Sequence, residues 1–270
     1  MPLADRTATA TIIFLGIAFT LFFLLPFAGL IDRGLADGNT WDIATSDFAL
    51  EALQLSLWTS TVTVVLALVF GTPVAYFLAR AQFRGKSLVD GLIDLPIVLP
   101  PTVAGVALLT AFGRRGLLGE PIEEWFGITF GFRTTAVIMA QLLVSAPFYV
   151  RAARSGFESV DFQLERVAYT LGASRVRTFF RVVVPQAWPA LLAGIVLCWA
   201  RAMGELGATL IFAGNFSGST QTMPLAIISA FEGTAFGLAG AVALSLMLLA
   251  VALAVLTVFR AASSAAGRRL

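Results

Sequence analysis

The apolar residues of this chain gather into runs of about 20, the length at which a helix rising about 1.5 Å per residue crosses about 30 Å of hydrocarbon. Inside a bilayer no water can satisfy backbone N–H and C=O groups, so such runs must close their own hydrogen bonds as helices. They fall at 12–31, 53–79, 92–112, 134–150, 187–213 and 235–259. Composition agrees: of 270 residues 58% are hydrophobic and 13% charged, against about 25% charged in a soluble domain. The expectation is an all-α membrane protein of six transmembrane helices, one membrane domain over residues 1–270. The first run exceeds the roughly 7–15 apolar residues of a secretion signal. Its flank carries Asp5 beside Arg6, so it reads as a retained helix.

Lys and Arg are held on the cytoplasmic side during insertion. The 80–91 loop carries Arg80, Arg84 and Lys86, and the 151–186 loop carries Arg151, Arg154, Arg166, Arg175, Arg177 and Arg181. The tail adds Arg260, Arg268 and Arg269. These alternate loops are expected inside, with both termini. The acidic 32–52 loop and the 214–234 loop, which has no Lys or Arg, are expected outside. The 113–133 loop has Arg114, Arg115 and Arg133 and would read as inside by itself, but alternation of the spans places it outside.

Several function classes lose ground at once. A formal charge of +2, with its basic residues beside apolar spans, offers no footprint for nucleic acid. Zero histidines remove the commonest metal ligand and general base, and the single cysteine, Cys198, forbids an intrachain disulfide. Neither a metal site nor a catalytic constellation is expected. With no soluble appendage in the sequence, any energy source must lie on another chain.

The longest cytoplasmic segment is the most informative. Val160, Leu164, Val167, Ala168 and Leu171 share one helix face, and Gln163, Glu165 and Arg166 point elsewhere. Gly172 then sits where a helix end turns left-handed, and Ser174 is placed to cap a second helix bearing Val176, Phe179, Phe180 and Val183, before Pro185 forbids simple continuation. This helix–glycine–helix element is either a surface-lying connector or a docking element.

Three further segments are candidates for a path through the membrane. Pro96, Pro100 and Pro101 interrupt the third span close to Asp94. Each proline removes a donor and frees carbonyls, which makes either a plain kink or a broken helix lining a cavity. In the fifth span Arg201 and Glu205 stand at i, i+4, either as a structural ion pair or on the path, with Gly204 and Gly207 leaving room for another helix. Thr209, Asn215, Ser217, Thr220 and Gln221 follow, neutral donors able to solvate an anion without gripping it, or simply a turn.

The stretch from Glu165 through Ala168, Gly172, Ala173 and Ser174 to Pro185 resembles the cytoplasmic "EAA" loop of ATP-binding-cassette importer permeases, departing from it at Arg166 and Val167. The run 95–101, the segments 112–119 and 201–209, and the run 220–227 resemble the molybdate/tungstate branch of the oxyanion permeases over about residues 50–260. That resemblance implies a homodimer of permeases in a bacterial or archaeal cell membrane, two cytoplasmic ATPase subunits that bind ATP-Mg, and an extracytoplasmic oxyanion-binding protein. It implies no cofactor on this chain. It also implies that the loop residues couple to the ATPase; the proline, Arg201–Glu205 and hydroxyl/amide residues stay the candidates to line the path. The alternatives are a sulfate/thiosulfate permease of the same class and an ion-coupled secondary carrier using Asp94 and Glu205 as relays.

Overall fold

The computed structural model describes residues 3–233 and 236–267. Arg268 and Arg269 lie outside the described residues, as do the side chains of Asp5, Arg6 and Arg260 and the start of the sixth run at 235. Among the described residues the chain is helical throughout, with no strand. In order the helices are α1 (Leu3–Ala36), α2 (Thr40–Ala44), α3 (Asp47–Arg80), α4 (Lys86–Val98), α5 (Pro101–Phe112), α6 (Gly119–Phe126), α7 (Thr134–Ser159), α8 (Phe162–Thr170), α9 (Arg175–Thr178), α10 (Val184–Met203), α11 (Gly207–Ala213), α12 (Met223–Phe231) and α13 (Gly237–Gly267).

Five helices or helix runs are long and apolar enough to cross a membrane: Ala8–Ala36, Asp47–Arg80, Thr134–Ser159, Arg175–Met203 and Gly237–Phe259. Counted as one span, the pair α4 and α5, bent by 115°, makes a sixth. Asp90 of α4 pairs with Arg154 near the Ser159 end of α7, and Phe112 of α5 packs on Phe130 beside its Thr134 end. The pair therefore makes contacts near both ends of α7.

The centre is a three-helix seam of α3, α7 and α10, where small residues admit close approach. A Cβ on Gly71 of α3 would meet Val150 at 3.0 Å, and one on Gly194 of α10 would meet Ala152 at 2.9 Å. Without a hydrophobic force between helices in lipid, such close packing and interhelical hydrogen bonds hold the bundle. Gln141 of α7, buried, donates to Thr59 Oγ1 at 3.1 Å and accepts from Thr63 Oγ1 at 3.1 Å on α3. Tyr149 shares a hydrogen bond of 2.6 Å with Thr72. None of these ties was foreseen in the sequence.

α7 has two ends with different company. At the Thr134 end, Thr134 Oγ1 donates to the Ser219 carbonyl at 2.8 Å, and the Phe132 N–H donates to the Phe212 carbonyl at 3.2 Å. At the Ser159 end, Arg80 donates to the Val160 carbonyl at 3.0 Å. The helix is roughly 39 Å long at 1.5 Å per residue, so the segments 113–133 and 214–222 lie across the bilayer from the loop that follows Ser159. The three arginines at 114, 115 and 133 therefore stand at the end of the bundle opposite that loop, as alternation of the spans requires.

Two of the boundaries that differ from expectation border the loop after α7. The fourth span continues to Ser159, so Arg151 and Arg154 lie on helix α7, where they pair with Asp94 and Asp90. Pro185 does not end the second helix of the loop: α9 passes through a π turn, Phe179–Val183, into α10. The wider turn falls where the proline ring would meet the carbonyl four residues back, and the Val184 N–H bonds to the Phe179 carbonyl instead.

Candidate functional site

The loop after α7 is built by two capping events. Asp161 opens α8 by accepting the Gln163 N–H at 2.8 Å. Gly172 closes it at φ +83°, with its own N–H bonded to the Tyr169 carbonyl and the Ala173 N–H bonded to the Ala168 carbonyl, both at 3.0 Å. Ser174 Oγ then accepts the Arg177 N–H at 3.3 Å and starts α9. The glycine elbow and the serine cap are as the sequence predicts.

The apolar face of that loop divides. Val160 is buried, whereas Leu164 and Val167 on α8, Leu171 at its end, and Val176 and Phe180 beyond the elbow are exposed. Ala168 and Ala173 are half-buried and Arg166 is exposed. Glu165 behaves in the opposite way: it is 1% exposed. Its Oε1 lies 2.6 Å from Arg80 Nη2, and its Oε2 accepts the Tyr76 hydroxyl at 2.7 Å. The Phe162 ring lies 5.7 Å from the Arg80 guanidinium carbon. Tyr76 in turn packs edge-on against Phe157 of α7 and Phe179 of the π turn. An apolar cavity of about 620 Å³ opens between α3 and the π turn, lined in part by Leu68, Tyr76, Val176 and Phe179.

The candidate path residues converge on two helix breaks. α4 ends at Val98 and α5 starts at Pro101, with Leu99 and Pro100 extended between them. α10 ends at Met203 and α11 starts at Gly207. The breaks face each other, because a Cβ on Gly207 would meet Pro101 Cβ at 2.9 Å and the Thr102 nitrogen at 3.2 Å. Gly105 and Ala208 extend the contact along α5 and α11. Gly204, in contrast, faces only the Ala200 carbonyl of its own helix, at 3.6 Å, and serves as the cap of α10 instead of a landing place for a neighbour. The fifth span therefore ends at 203, ten residues short of the expected 213. Pro96 sits within α4, beside a cavity shared with α3 and α7.

Arg201 and Glu205 form the i, i+4 pair, with Nη1 to Oε2 at 2.7 Å. Glu205 is buried while Arg201 remains partly exposed, and Glu205 Oε1 also accepts the Ala208 N–H at 2.9 Å. One carboxylate thus neutralises a cation and satisfies a free N–H at the start of α11.

The neutral donors are mostly engaged with one another. Asn215 Nδ2 donates to Ser229 Oγ at 2.8 Å, and Gln221 Nε2 donates to Asn215 Oδ1 at 2.9 Å. Thr220 Oγ1 accepts the Phe216 N–H at 3.0 Å. Ser217 is exposed. Thr209, fully buried on α11, has a hydroxyl with no hydrogen-bond partner. Among the described residues no group of His, Cys, Asp and Glu is arranged to hold a metal.

Residues 67–265 match the family of binding-protein-dependent transport system inner membrane components. The molybdenum transport system permease protein ModB of Escherichia coli strain K12 is 43% identical over 75% of this chain and 88% of that protein. The molybdate/tungstate transport system permease protein WtpB of Pyrococcus abyssi is 41% identical over 78% of this chain and 77% of its own. Among solved structures, a bacterial ABC transporter that imports the acidic polysaccharide alginate matches with a TM-score of 0.74 over 97% of this chain and 96% of that one, at 16% identity. The methionine transporter MetNI in an inward-facing form matches with a TM-score of 0.62, at 14% identity. The distant structures share the fold, and this multi-pass membrane protein belongs to the family of binding-protein-dependent transport system inner membrane components.

Proposed function

We propose that this chain is the transmembrane subunit of an ATP-driven importer of a tetrahedral oxyanion, molybdate or tungstate ahead of sulfate or thiosulfate. The names of its relatives support the substrate class. The observation that carries a transport role is the meeting of two helix breaks at Pro101 and Gly207 inside the bundle. Irregular backbone at membrane depth is tolerated where protein or a water-filled cavity takes up its free polar groups, and a dianion needs a hydrated, donor-lined route because bare hydrocarbon excludes it.

The assembly is two copies of this permease in the bilayer, two cytoplasmic ATPase subunits that bind ATP-Mg, and an extracytoplasmic oxyanion-binding protein. Both termini lie in the cytoplasm of a bacterial or archaeal cell. The exposed apolar residues of α8 and α9 supply a surface for the ATPase. Closure of the ATPase pair on ATP draws the loops together and turns the permease outward-facing. Pro96, Pro100, Pro101, Arg201, Glu205 and Thr209 line the path at the breaks, and Asn215, Ser217, Thr220 and Gln221 lie at its outer mouth. Arg201, neutralised by Glu205, does not trap the anion. A secondary carrier fits less well: Glu205 is committed to Arg201 and the Ala208 N–H, and Asp94 lies 3.5 Å from Arg151.

The test is uptake of labelled molybdate into vesicles holding permease, ATPase and binding protein. Uptake should require ATP and be displaced by tungstate more readily than by sulfate. Sulfate uptake that excess molybdate does not displace would overturn the ranking. Orientation is read with single cysteines at Asp42 and Arg177, both exposed, in a Cys198→Ser background. An impermeant reagent should reach them from opposite sides.

A further inference from the structure

The geometry points to Glu165, Arg80 and Tyr76 as a strut inside the permease that carries movement of the ATPase-docking loop into α3, so that the acid of the EAA-like loop works on its own chain and not on the ATPase. This rests on the importer reading above.

A carboxylate that docks a partner must be presented to it. Glu165 is 1% exposed, turned inward from a helix whose Leu164, Val167 and Leu171 face out. Both of its oxygens are used across a tertiary contact, one on Arg80 and one on the Tyr76 hydroxyl, residues one helical turn apart on α3. Arg80 also donates to the carbonyl of Val160, where α7 ends. Three elements therefore meet at one guanidinium: the last turn of α3, the end of α7 and the first turn of α8. The Tyr76 bond to the carboxylate is charge-assisted and directional, and the Arg80 contact is a close buried ion pair without hydrogen-bond geometry, stiff in distance. The rest of the boundary between α3 and the π turn is softer, since an apolar cavity of about 620 Å³ lies there and only aromatic edges bridge it at Tyr76. A push on α8 reaches α3 through the polar tie. α3 leads on to the Thr59–Gln141–Thr63 contact with α7 and to Ser56, whose Oγ accepts the Met223 N–H at the start of α12. These are positioning residues: none is placed against the transported anion.

The experiment uses the full assembly of permease, ATPase and binding protein in vesicles, comparing wild type with Glu165→Gln, Arg80→Gln, Tyr76→Phe and the exchange Arg80→Glu with Glu165→Arg. Glu165→Gln and Arg80→Gln should keep the ATPase bound at wild-type stoichiometry and keep its basal hydrolysis, yet lose about tenfold in binding-protein-stimulated hydrolysis and in uptake, the size expected for a hydrogen bond to a charged group. Tyr76→Phe should lose less, and the exchange should recover part of the coupling. Release of the ATPase by Glu165→Gln, with Arg80→Gln unaffected, would make Glu165 a docking residue and overturn the strut. So would losses that match the fall in thermal stability of each variant. Failure of wild-type uptake would instead remove the importer reading itself.

Discussion

Among the described residues two glutamates are buried, each 1% exposed and each held by an arginine, and they solve different problems. Glu205, in the break, is partnered by Arg201 four residues back, and spends its second oxygen on the N–H of Ala208 in the first turn of α11. Glu165 is partnered by α3, with Tyr76 89 positions away in sequence. The first pair makes a broken helix stable at its break. The second ties a loop to the bundle. A local pair can be lost with the elements still in place, whereas a long-range pair decides where an element sits.

The largest effect should therefore come from the long-range pair. Removing one partner of a buried ion pair costs about 3–5 kcal/mol, so Glu165→Ala should lower thermal stability in detergent more than Glu205→Ala does. The double variant Arg80→Ala with Glu165→Ala should recover part of the loss, showing the two sites to be coupled. Additive losses would break the comparison.

At Glu205, charge and cap can be separated. Glu205→Gln keeps an oxygen for the Ala208 N–H and removes the charge that neutralises Arg201, whereas Glu205→Ala loses both. The cap alone should account for about 1 kcal/mol between the two variants in thermal unfolding. Both should depress molybdate uptake more than assembly, because an unpaired Arg201 holds the anion too firmly. Unchanged uptake by Glu205→Gln would remove the ion pair from the path.

Gly172→Val tests the elbow that carries the loop. No atom lies within 4 Å of a Cβ placed there, so its φ of +83° is the whole cost, about 1–3 kcal/mol for a forced positive φ. Insertion should be normal and ATPase coupling lost. The smallest effects separate the two glycines at the break. Gly207→Ala drives a methyl against Pro101 and should cost about 1–3 kcal/mol as an overpacked contact, whereas Gly204→Ala, with open space around it, should stay within about 0.5 kcal/mol. Equal effects would mean that the breaks do not meet.

What the sequence shows and what it hides follow the same division. The Arg201–Glu205 pair, the Gly172 elbow and the Ser174 cap depend on residues within four positions of each other, where helix geometry alone decides, and all three stand where periodicity and capping rules place them. The partner of Glu165 was not legible, since only the folding of α3 against α8 brings Arg80 to it. Gln141 was missed for the same reason: a polar residue in an apolar run signals a tie to another helix, but the run does not name Thr59 and Thr63. Pro185 misled because the rule that proline ends a helix omits the π turn that lets α10 follow. The break at 204–206 was hidden because Gly204 and Gly207 were both read as surfaces for a neighbour, and only Gly207 is one.

The claim on which the rest depends is that the meeting of the α4/α5 and α10/α11 breaks lies on the route of the anion. Thr102, exposed at the start of α5 beside Gly207, is the place to measure it. In a Cys198→Ser background, Thr102→Cys in vesicles carrying the full assembly should react with an impermeant anionic thiol reagent, and molybdate with the binding protein and ATP should slow that reaction. A cysteine at that position that only a lipid-soluble reagent reaches, at a rate molybdate does not change, would place the breaks in packed protein or lipid and contradict the account.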